Sequence, residues 1–228
     1  MDREAFQRND IDVTHRLVDA SNATLLGYIE GAGQVIYKPI AGERPLWDFP
    51  QGTLADREVA AFKISEALGL NLVPYTILRE GPFGPGMVQE WIEVDPAVDV
   101  IAFGQSDERR LRSLAIFDAL INNTDRKFGH LLISREGVLY GCDHGVTFHH
   151  ECKLRTVLWQ FSGESFNEEE VALLQRAASE SEKFSLLLHE HLQDDEINAF
   201  FHRLELLLAT RKFPHPSTDW PAIPWPPV

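Results

Sequence analysis

Residues 118–145 read DALINNTDRKFGHLLISREGVLYGCDHG, and this stretch decides the fold and holds most of the candidate chemistry. It contains two acidic signatures, Asp125 followed by Arg126, and Asp143 at the start of an Asp-His-Gly triplet. Between them, apolar runs on either side of residues 135–137 predict a β-hairpin. The carboxylates of Asp125 and Asp143 would then lie at opposite ends of one hairpin, so they can converge on a single point.

An amphipathic helix is predicted immediately before this loop, over residues 107–121. Asp118 is the one acidic member of its apolar face. A buried carboxylate needs a polar partner. We therefore expect Asp118 to anchor the loop that follows the helix.

The first half of the chain is rich in strand signals. Residues 24–29 and 34–38 alternate in polarity around a Gly-Ala-Gly turn, which predicts a hairpin that ends at Lys38. Two further strands, residues 76–79 and 87–92, are expected on either side of a turn rich in Gly and Pro.

One helix is predicted within this strand-rich half, over residues 54–68. Its apolar residues recur with helical period, Thr53 is placed to cap its start, and Gly69 is placed to end it. The helix carries Glu58.

The second half has helical patterns, which predict an α+β fold with two lobes. We place the boundary near residue 93, with a strand-rich lobe over residues 1–93 and a mostly helical lobe over residues 94–228. The Pro- and Trp-rich tail, residues 214–228, is expected to be extended on the surface or disordered. Helices are predicted over residues 153–161, 168–178, 182–191 and 195–210.

The composition is that of a soluble globular protein, with 44% hydrophobic and 25% charged residues. The net charge of -14 argues against general nucleic-acid binding, because phosphate contacts need clustered Lys and Arg. No apolar run approaches the roughly 20 residues of a membrane span, and the polar amino terminus is unlike a signal peptide, so a cytoplasmic protein is expected. Cys142 and Cys152 are too few and too poorly spaced for a metal cluster, and we expect free thiols.

The polar residues of both halves match the needs of phosphoryl transfer. That reaction requires a lysine for the nucleotide phosphates, a carboxylate that orients it, an Asp beside the attacking group, and ligands for magnesium. The chain has these groups in that order. They are Lys38 on a strand, Glu58 on the next helix, Asp125 in a loop and Asp143 after a hairpin.

Four motifs carry a resemblance to a known family: residues 37–39 (YKP), 57–61 (REVAA), 123–126 (NTDR) and 142–148 (CDHGVTF). With them the chain resembles the kinase-like superfamily of phosphatidylinositol 3-/4-kinase-related proteins. This group includes the type II phosphatidylinositol 4-kinases and the HipA-like serine kinases, and the chain looks more like its uncharacterised bacterial members. The resemblance implies a two-lobed protein-kinase-like fold.

The same resemblance implies ATP and Mg²⁺ as cofactors, with Mn²⁺ as the alternative metal. Lys38 would contact the ATP phosphates and Glu58 would pair with it. Asp125 would be the catalytic base or would orient the substrate. Asp143 would be the principal metal ligand, and His130 stands at the position of the second one.

The nucleotide-binding residues of the first lobe are also implied by the resemblance. Ser21 and Asn22 would lie in the turn that covers the phosphates. The end of the last strand would form the hinge that faces adenine, with Glu90, Trp91 and Ile92.

Two departures from the family pattern leave an alternative open. The family usually has Asn where His130 stands, and imidazole suits magnesium less well than oxygen does. The phosphate turn also lacks the glycines that let backbone amides approach phosphate. The chain is thus either an active kinase or a catalytically silent module that binds a nucleotide, or a partner through its aromatic loop (residues 42–52) and its tail.

The acceptor of an active kinase is expected to be a hydroxyl of a protein or a small molecule rather than of a lipid. The charge is acidic, and no basic amphipathic helix suggests a membrane surface. A third, weaker hypothesis is a metal hydrolase, although its histidines lack the i, i+4 spacing of a helical metal site. Its ligands would come from His130, Asp143, His144, His149 and His150.

Overall fold

The computed structural model describes residues 2–17 and 22–228. Its first half contains a five-stranded antiparallel sheet with the order β1-β2-β3-β5-β4, and the predicted hairpin of β2 and β3 is confirmed. The last two strands extend further into their connecting turn than the sequence predicts. The strands are β1 (Ile11–Leu17), β2 (Thr24–Ile29), β3 (Gly33–Pro39), β4 (Thr76–Gly81) and β5 (Gly84–Glu90).

Helix α2 (Leu54–Ala67) packs against β4 and β5, as its apolar face requires. Its start is not capped by Thr53, whose hydroxyl donates to a backbone carbonyl one turn earlier. The Glu43 carboxylate accepts hydrogen bonds from the first two N–H groups of the helix instead, at 3.3 and 2.9 Å. Gly69 follows the helix with a φ of 72°, so the predicted stop signal is confirmed.

The second half is helical around one small hairpin, which confirms the predicted α+β class. Helix α4 is buried along most of its length, and α7 packs on it and on α5 and α6. The boundary at residue 93 stays a prediction. The elements are α4 (Arg109–Ile121), β6 (Leu131–Ile133), β7 (Leu139–Gly141), α5 (Glu168–Ser179), α6 (Ser181–His189) and α7 (Asp194–Thr210).

The predicted helix over residues 153–161 is wrong. Most of this segment has no regular secondary structure, and its only helical part is a single 3-10 turn at Trp159–Phe161. The segment runs beside residues 123–126, and three backbone hydrogen bonds of 3.0 to 3.1 Å join the two. These bonds to a distant loop satisfy the backbone groups that a helix would pair locally, so the tertiary contact overrides the helical pattern.

Three short elements have no counterpart in the sequence prediction: α1 (Arg3–Arg8), β1 and α3 (Val100–Gly104). Each buries little, since Phe6 is the one buried residue of α1 and Ile11 that of β1. An apolar period cannot be read from a single buried residue.

A buried arginine on α2 joins the two halves. Arg57 forms an ion pair with Glu196 of α7 and donates a 2.7 Å hydrogen bond to the carbonyl of Thr147. Both partners belong to the second half. The first turns of α2, and with them Glu58, are therefore fixed to the helical half.

The tail, residues 214–228, lies on the surface without helix or strand. The carbonyl of Pro227 accepts from the Phe128 N–H at 2.8 Å, and that of Ala222 accepts from the Thr156 N–H at 3.1 Å. Of the two predicted outcomes, the tail is docked. No helix in the described part of the chain is long and apolar enough to cross a membrane.

Candidate active site

Lys38 lies at the centre of a cluster that unites three distant parts of the chain. It stands on β3, and its Nζ lies 2.6 Å from Glu58 Oε1 and 2.8 Å from Asp143 Oδ1. Glu58 comes from α2, and Asp143 comes from the loop after β7. The structure therefore brings together three of the residues that the sequence singled out.

Glu58 connects this cluster to the backbone of the acidic loop. Its side chain is only 2% exposed, and its second oxygen accepts a 2.9 Å hydrogen bond from the His144 N–H. Since the neighbouring Arg57 anchors α2, the Glu58 carboxylate has little freedom to move. It fixes the positions of Lys38 and of residues 143–144 at once.

The charges of the cluster support one another. Burial opposes the charged form of Lys38, but the carboxylates of Asp143 and Glu58 outweigh it and raise the pKa of Lys38 above its ordinary value. The Lys38 ammonium in turn holds the pKa of Asp143 well below its usual range, against the opposing effect of burial. Lys38 is therefore a cation and Asp143 an anion at neutral pH.

Asp143 has an uncommon backbone conformation, with a φ of 59°. Asp and Asn adopt this left-handed region more readily than most residues other than glycine. The conformation accompanies a side chain that is 44% exposed even though it contacts Lys38. Part of the carboxylate thus remains open to a ligand.

The loop that carries Asp125 is held by a buried ion pair beneath it. Asp118 and Arg126 are both fully buried, and the guanidinium donates two 2.9 Å hydrogen bonds to the carboxylate. Asn123 donates a third, at 3.0 Å. Asp118 therefore anchors the following loop, as its place on an apolar helix face predicted.

Arg126 also reaches the acidic loop after β7. It donates to the carbonyl of Cys142 at 3.0 Å and contacts His144 Nε2 at 2.7 Å. Burial lowers the pKa of His144 well below its ordinary value, so the neutral ring can accept this hydrogen bond. One guanidinium thus fixes the two loops that present Asp125 and Asp143.

Asp125 forms an ion pair of 3.2 Å with Lys127. Burial raises the pKa of Asp125, and Lys127 partly offsets that effect. A carboxylate with a raised pKa is a better proton acceptor than an ordinary Asp. Asp125 and Asp143 line the same cavity, of about 510 Å³.

His130 lies beside Asp143, with 3.4 Å between Nε2 and Asp143 Oδ2. Burial lowers the pKa of His130 to about 4, so the ring is neutral at physiological pH. Its Nδ1 is buried and has no hydrogen-bond partner among the described residues. A ligating histidine normally donates its second N–H to a partner, which makes His130 a weaker metal ligand than Asp143.

The residues of the implied nucleotide site are only partly brought together. Ser21 lies outside the described residues, and Asn22 lines the 510 Å³ cavity. Glu90, Trp91 and Ile92 do not line it. The N–H groups of Glu90 and Trp91 donate to the carbonyls of Tyr75 and Gln34, so neither N–H is free for a ligand.

The histidines of the hydrolase hypothesis do not meet at one point. His144 is engaged by Arg126, and both ring nitrogens of His149 have backbone partners. His150 stacks on His149 and faces Asp195. His149, His150 and Glu151 offer ligand atoms within 4.8 Å of one another, but His149 would have to give up a hydrogen bond to bind a metal.

Several residues of the site were missed at the sequence level. Arg57 and Lys153 are buried cations, and each has an acidic partner more than a hundred residues away, Glu196 and Asp48 respectively. A charged residue within an apolar helix face signals Arg57, as it did Asp118. For Lys153 and for Trp220, which lies over its ammonium, no local pattern gives a signal.

No family model matches the chain. Protein Rv2133c of Mycobacterium tuberculosis is 38% identical to it over 259 aligned residues, which cover 95% of this chain and 92% of that protein. The chain belongs to the Rv2133c family. Because the match covers nearly all of both chains, the fold described above is that of the Rv2133c family.

Solved structures of kinases share this fold. The Golgi casein kinase with Mn/ADP bound has a TM-score of 0.61 and 14% identity, over 91% of this chain and 74% of that one. The proinflammatory kinase CtkA of Helicobacter pylori has a TM-score of 0.53 and 13% identity, over 91% and 94%. Hydra Fam20 with sugar has a TM-score of 0.57 and 14% identity, over 91% and 86%. The Rv2133c family therefore has a protein-kinase-like fold, as the resemblance predicted.

Proposed function

We propose that this member of the Rv2133c family is an ATP-dependent phosphotransferase. The observation that carries the proposal is the contact of Lys38 with both Glu58 and Asp143, beside a cavity that Asp125 also lines. Phosphoryl transfer depends on positioning and on charge stabilisation, and these groups supply both. The fold comparison supports the same reaction class.

Each residue has a role in this proposal. Lys38 would bind the nucleotide phosphates as a point charge, and Glu58 would hold it in place. Asp125 would orient the acceptor hydroxyl and take its proton. The acceptor would be a protein or small-molecule hydroxyl, because the acidic net charge of -14 does not favour a lipid surface.

The donors beside Lys38 fit a divalent metal. Asp143 offers an ionised, partly exposed carboxylate, and the neutral His130 ring lies 3.4 Å from it. A carboxylate with an imidazole suits Mn²⁺ better than Mg²⁺, which prefers oxygen alone. When bound, the metal would neutralise the phosphate charge. The Mn/ADP complex of the Golgi casein kinase supports this preference.

The closer family relationship of the chain and its cellular location also remain proposals. The four motifs around Lys38, Glu58, Asp125 and Asp143 support a place near the phosphatidylinositol 3-/4-kinase-related and HipA-like proteins. The solved kinases above support the broad superfamily alone. A cytoplasmic location stays a prediction from composition.

Nucleotide binding tests the proposal first. ATP with Mn²⁺ should raise the melting temperature of the protein, since a ligand of the native state stabilises it. The shift should be lost in Lys38→Met and kept in Lys63→Met, which removes another lysine that contacts a glutamate. An equal shift in both variants would place the nucleotide elsewhere.

The second candidate function is a silent nucleotide-binding module. It is favoured by the Nδ1 of His130, which has no hydrogen-bond partner in the described part of the chain, because a poorly supported ligand would leave the metal site weak. ATP binding without transfer to any acceptor would favour this reading over the first.

Replacing His130 by asparagine should shift the metal preference toward Mg²⁺. An amide oxygen is the harder ligand, so we expect the ratio of ATP affinities with Mg²⁺ and Mn²⁺ to rise about threefold or more. Calorimetric titration with each metal measures it. His150→Asn, at an exposed histidine outside the cluster, is the matched control. An unchanged ratio in His130→Asn would mean that His130 does not bind the metal.

A further inference from the structure

The cavity beside Asp125 is lined by two segments that lie far apart in the chain. One wall is the aromatic loop, with Trp47, and the other is the tail, with Trp220 and Pro221. Its volume of about 510 Å³ is in the range of small-molecule sites, roughly 300–1,000 Å³. The space next to the proposed transfer position is therefore of small-molecule size.

Lys153 joins the two walls. Its Nζ lies 5.0 Å from the Trp47 ring centroid and 4.6 Å from that of Trp220. The same ammonium contacts Asp48 at 3.1 Å and Glu151 at 2.9 Å. Lys153 therefore contacts both walls of the cavity and two carboxylates, so its charge is already balanced within the protein.

The acidic side chains of the cavity are likewise engaged. Asp48 pairs with Lys153, Asp125 with Lys127, and Asp143 with Lys38. None of the three carboxylates therefore needs a cation from a ligand to balance it.

Two arginines of the cavity differ from these groups. Among the residues that the structure describes, neither Arg44 nor Arg155 has an ion-pair partner, and Arg155 Nε is buried without a hydrogen bond. Arg44 is exposed, and its backbone N–H donates to Asn22 Oδ1 at 2.8 Å. Burial raises the pKa of Asp125 and the nearby Arg155 charge opposes that rise, so Arg155 lies close to the proposed base.

Guanidinium groups bind carboxylates and phosphates through paired hydrogen bonds. Two of them on one small cavity favour a ligand with an acidic group, and the flat faces of Trp47 and Trp220 favour an aliphatic or ring surface beside it. Asp125, on the same cavity, would then face the rest of the ligand.

We propose that the acceptor is a small hydroxylated acid, held by Arg44 and Arg155 through its carboxylate or phosphate. This inference rests on the proposed phosphotransferase function. The acceptor oxygen forms a bond to the γ-phosphorus of ATP while the bond from that phosphorus to the β,γ-bridging oxygen breaks. ADP leaves with the bridging oxygen and its electron pair, and the hydroxyl proton passes to the Asp125 carboxylate.

Three compounds with one carbon skeleton test the inference: glycerol, glycerate and glycerol 3-phosphate. With ATP and Mn²⁺, the acids should increase ADP release and glycerol should not. Their relative effects separate a carboxylate site from a phosphate site. Arg155→Gln and Arg44→Gln should each raise the KM of the better acid roughly tenfold, since a hydrogen bond to a charged group contributes about that factor. The exposed Arg176→Gln, on α5, should leave the KM unchanged.

The contrary outcomes are distinct. Transfer to glycerol or to a protein such as casein, with none to the acids, would overturn this inference and leave the phosphotransferase standing. Loss of ATP affinity in Arg155→Gln equal to its loss of acid affinity would assign the arginines to the nucleotide and overturn it too. Absence of any ATP binding or turnover would instead defeat the proposed function itself.

Discussion

Asp143→Asn is expected to abolish metal-dependent nucleotide binding and to reduce phosphoryl transfer at least about a hundredfold. A bound metal stabilises the charge of the transition state by several kcal/mol. Each increase of about 1.4 kcal/mol in the activation free energy lowers the rate tenfold. An amide offers one neutral oxygen where the carboxylate offers two charged ones. Asn also tolerates the φ of 59° at this position, so the backbone should be kept.

The fold should survive this change, because Lys38 retains Glu58 at 2.6 Å. Titration of ATP with Mn²⁺ by calorimetry, together with a melting curve, separates loss of the metal from loss of structure. Glu180→Gln is the control, since Glu180 also pairs with a lysine but does not line the cavity. Wild-type affinity in a folded Asp143→Asn would remove Asp143 from the metal site.

Asp118→Ala is expected to cause the largest loss of stability, about 3–5 kcal/mol, because it leaves the Arg126 guanidinium buried without its counter-charge. In a protein of this size that corresponds to a fall in melting temperature of roughly 6–20 °C. Asp118 has no contact with the cavity. The loss should therefore appear in unfolding by urea even without nucleotide.

An exposed ion pair provides the comparison for this variant. Glu4→Ala breaks the contact of Glu4 with Arg8, in which both side chains are about three-quarters exposed, and should change stability by less than about 1 kcal/mol. The double variant Asp118→Leu with Arg126→Met should regain part of the lost stability, but it should not regain activity if Arg126 positions the two loops. A melting temperature within about 2 °C of wild type in Asp118→Ala would contradict the anchoring role.

The fold was predictable where one face of an element is buried over several turns or residues. Residues 54–68 and 107–121 have long apolar faces, and the structure has α2 and α4 there. Residues 153–161 have a similar pattern but form no α-helix, because their backbone pairs with residues 123–126. The sequence pattern within residues 153–161 contains no information about a partner thirty residues away.

The polar centre of the site was partly predictable for a different reason. Asp118 could be assigned an anchoring role because a charge on an apolar face needs a partner. The identity of that partner, Arg126, followed only from the structure. The cap of α2 shows the same limit, since Glu43 replaces the adjacent Thr53 from a loop eleven residues earlier. The cavity walls that meet at Lys153 come from parts of the chain that have no common sequence pattern.

The measurement that tests the central claim most directly is transfer of the labelled γ-phosphate of ATP, with Mn²⁺, to a panel of protein and small-molecule hydroxyl acceptors. Wild-type protein should transfer the label. Asp125→Asn should bind ATP with unchanged affinity. Its rate of label transfer should fall about a hundredfold or more, because the amide cannot accept the hydroxyl proton. Equal transfer by both proteins, or binding without transfer by wild type, would contradict an Asp125-dependent phosphotransferase.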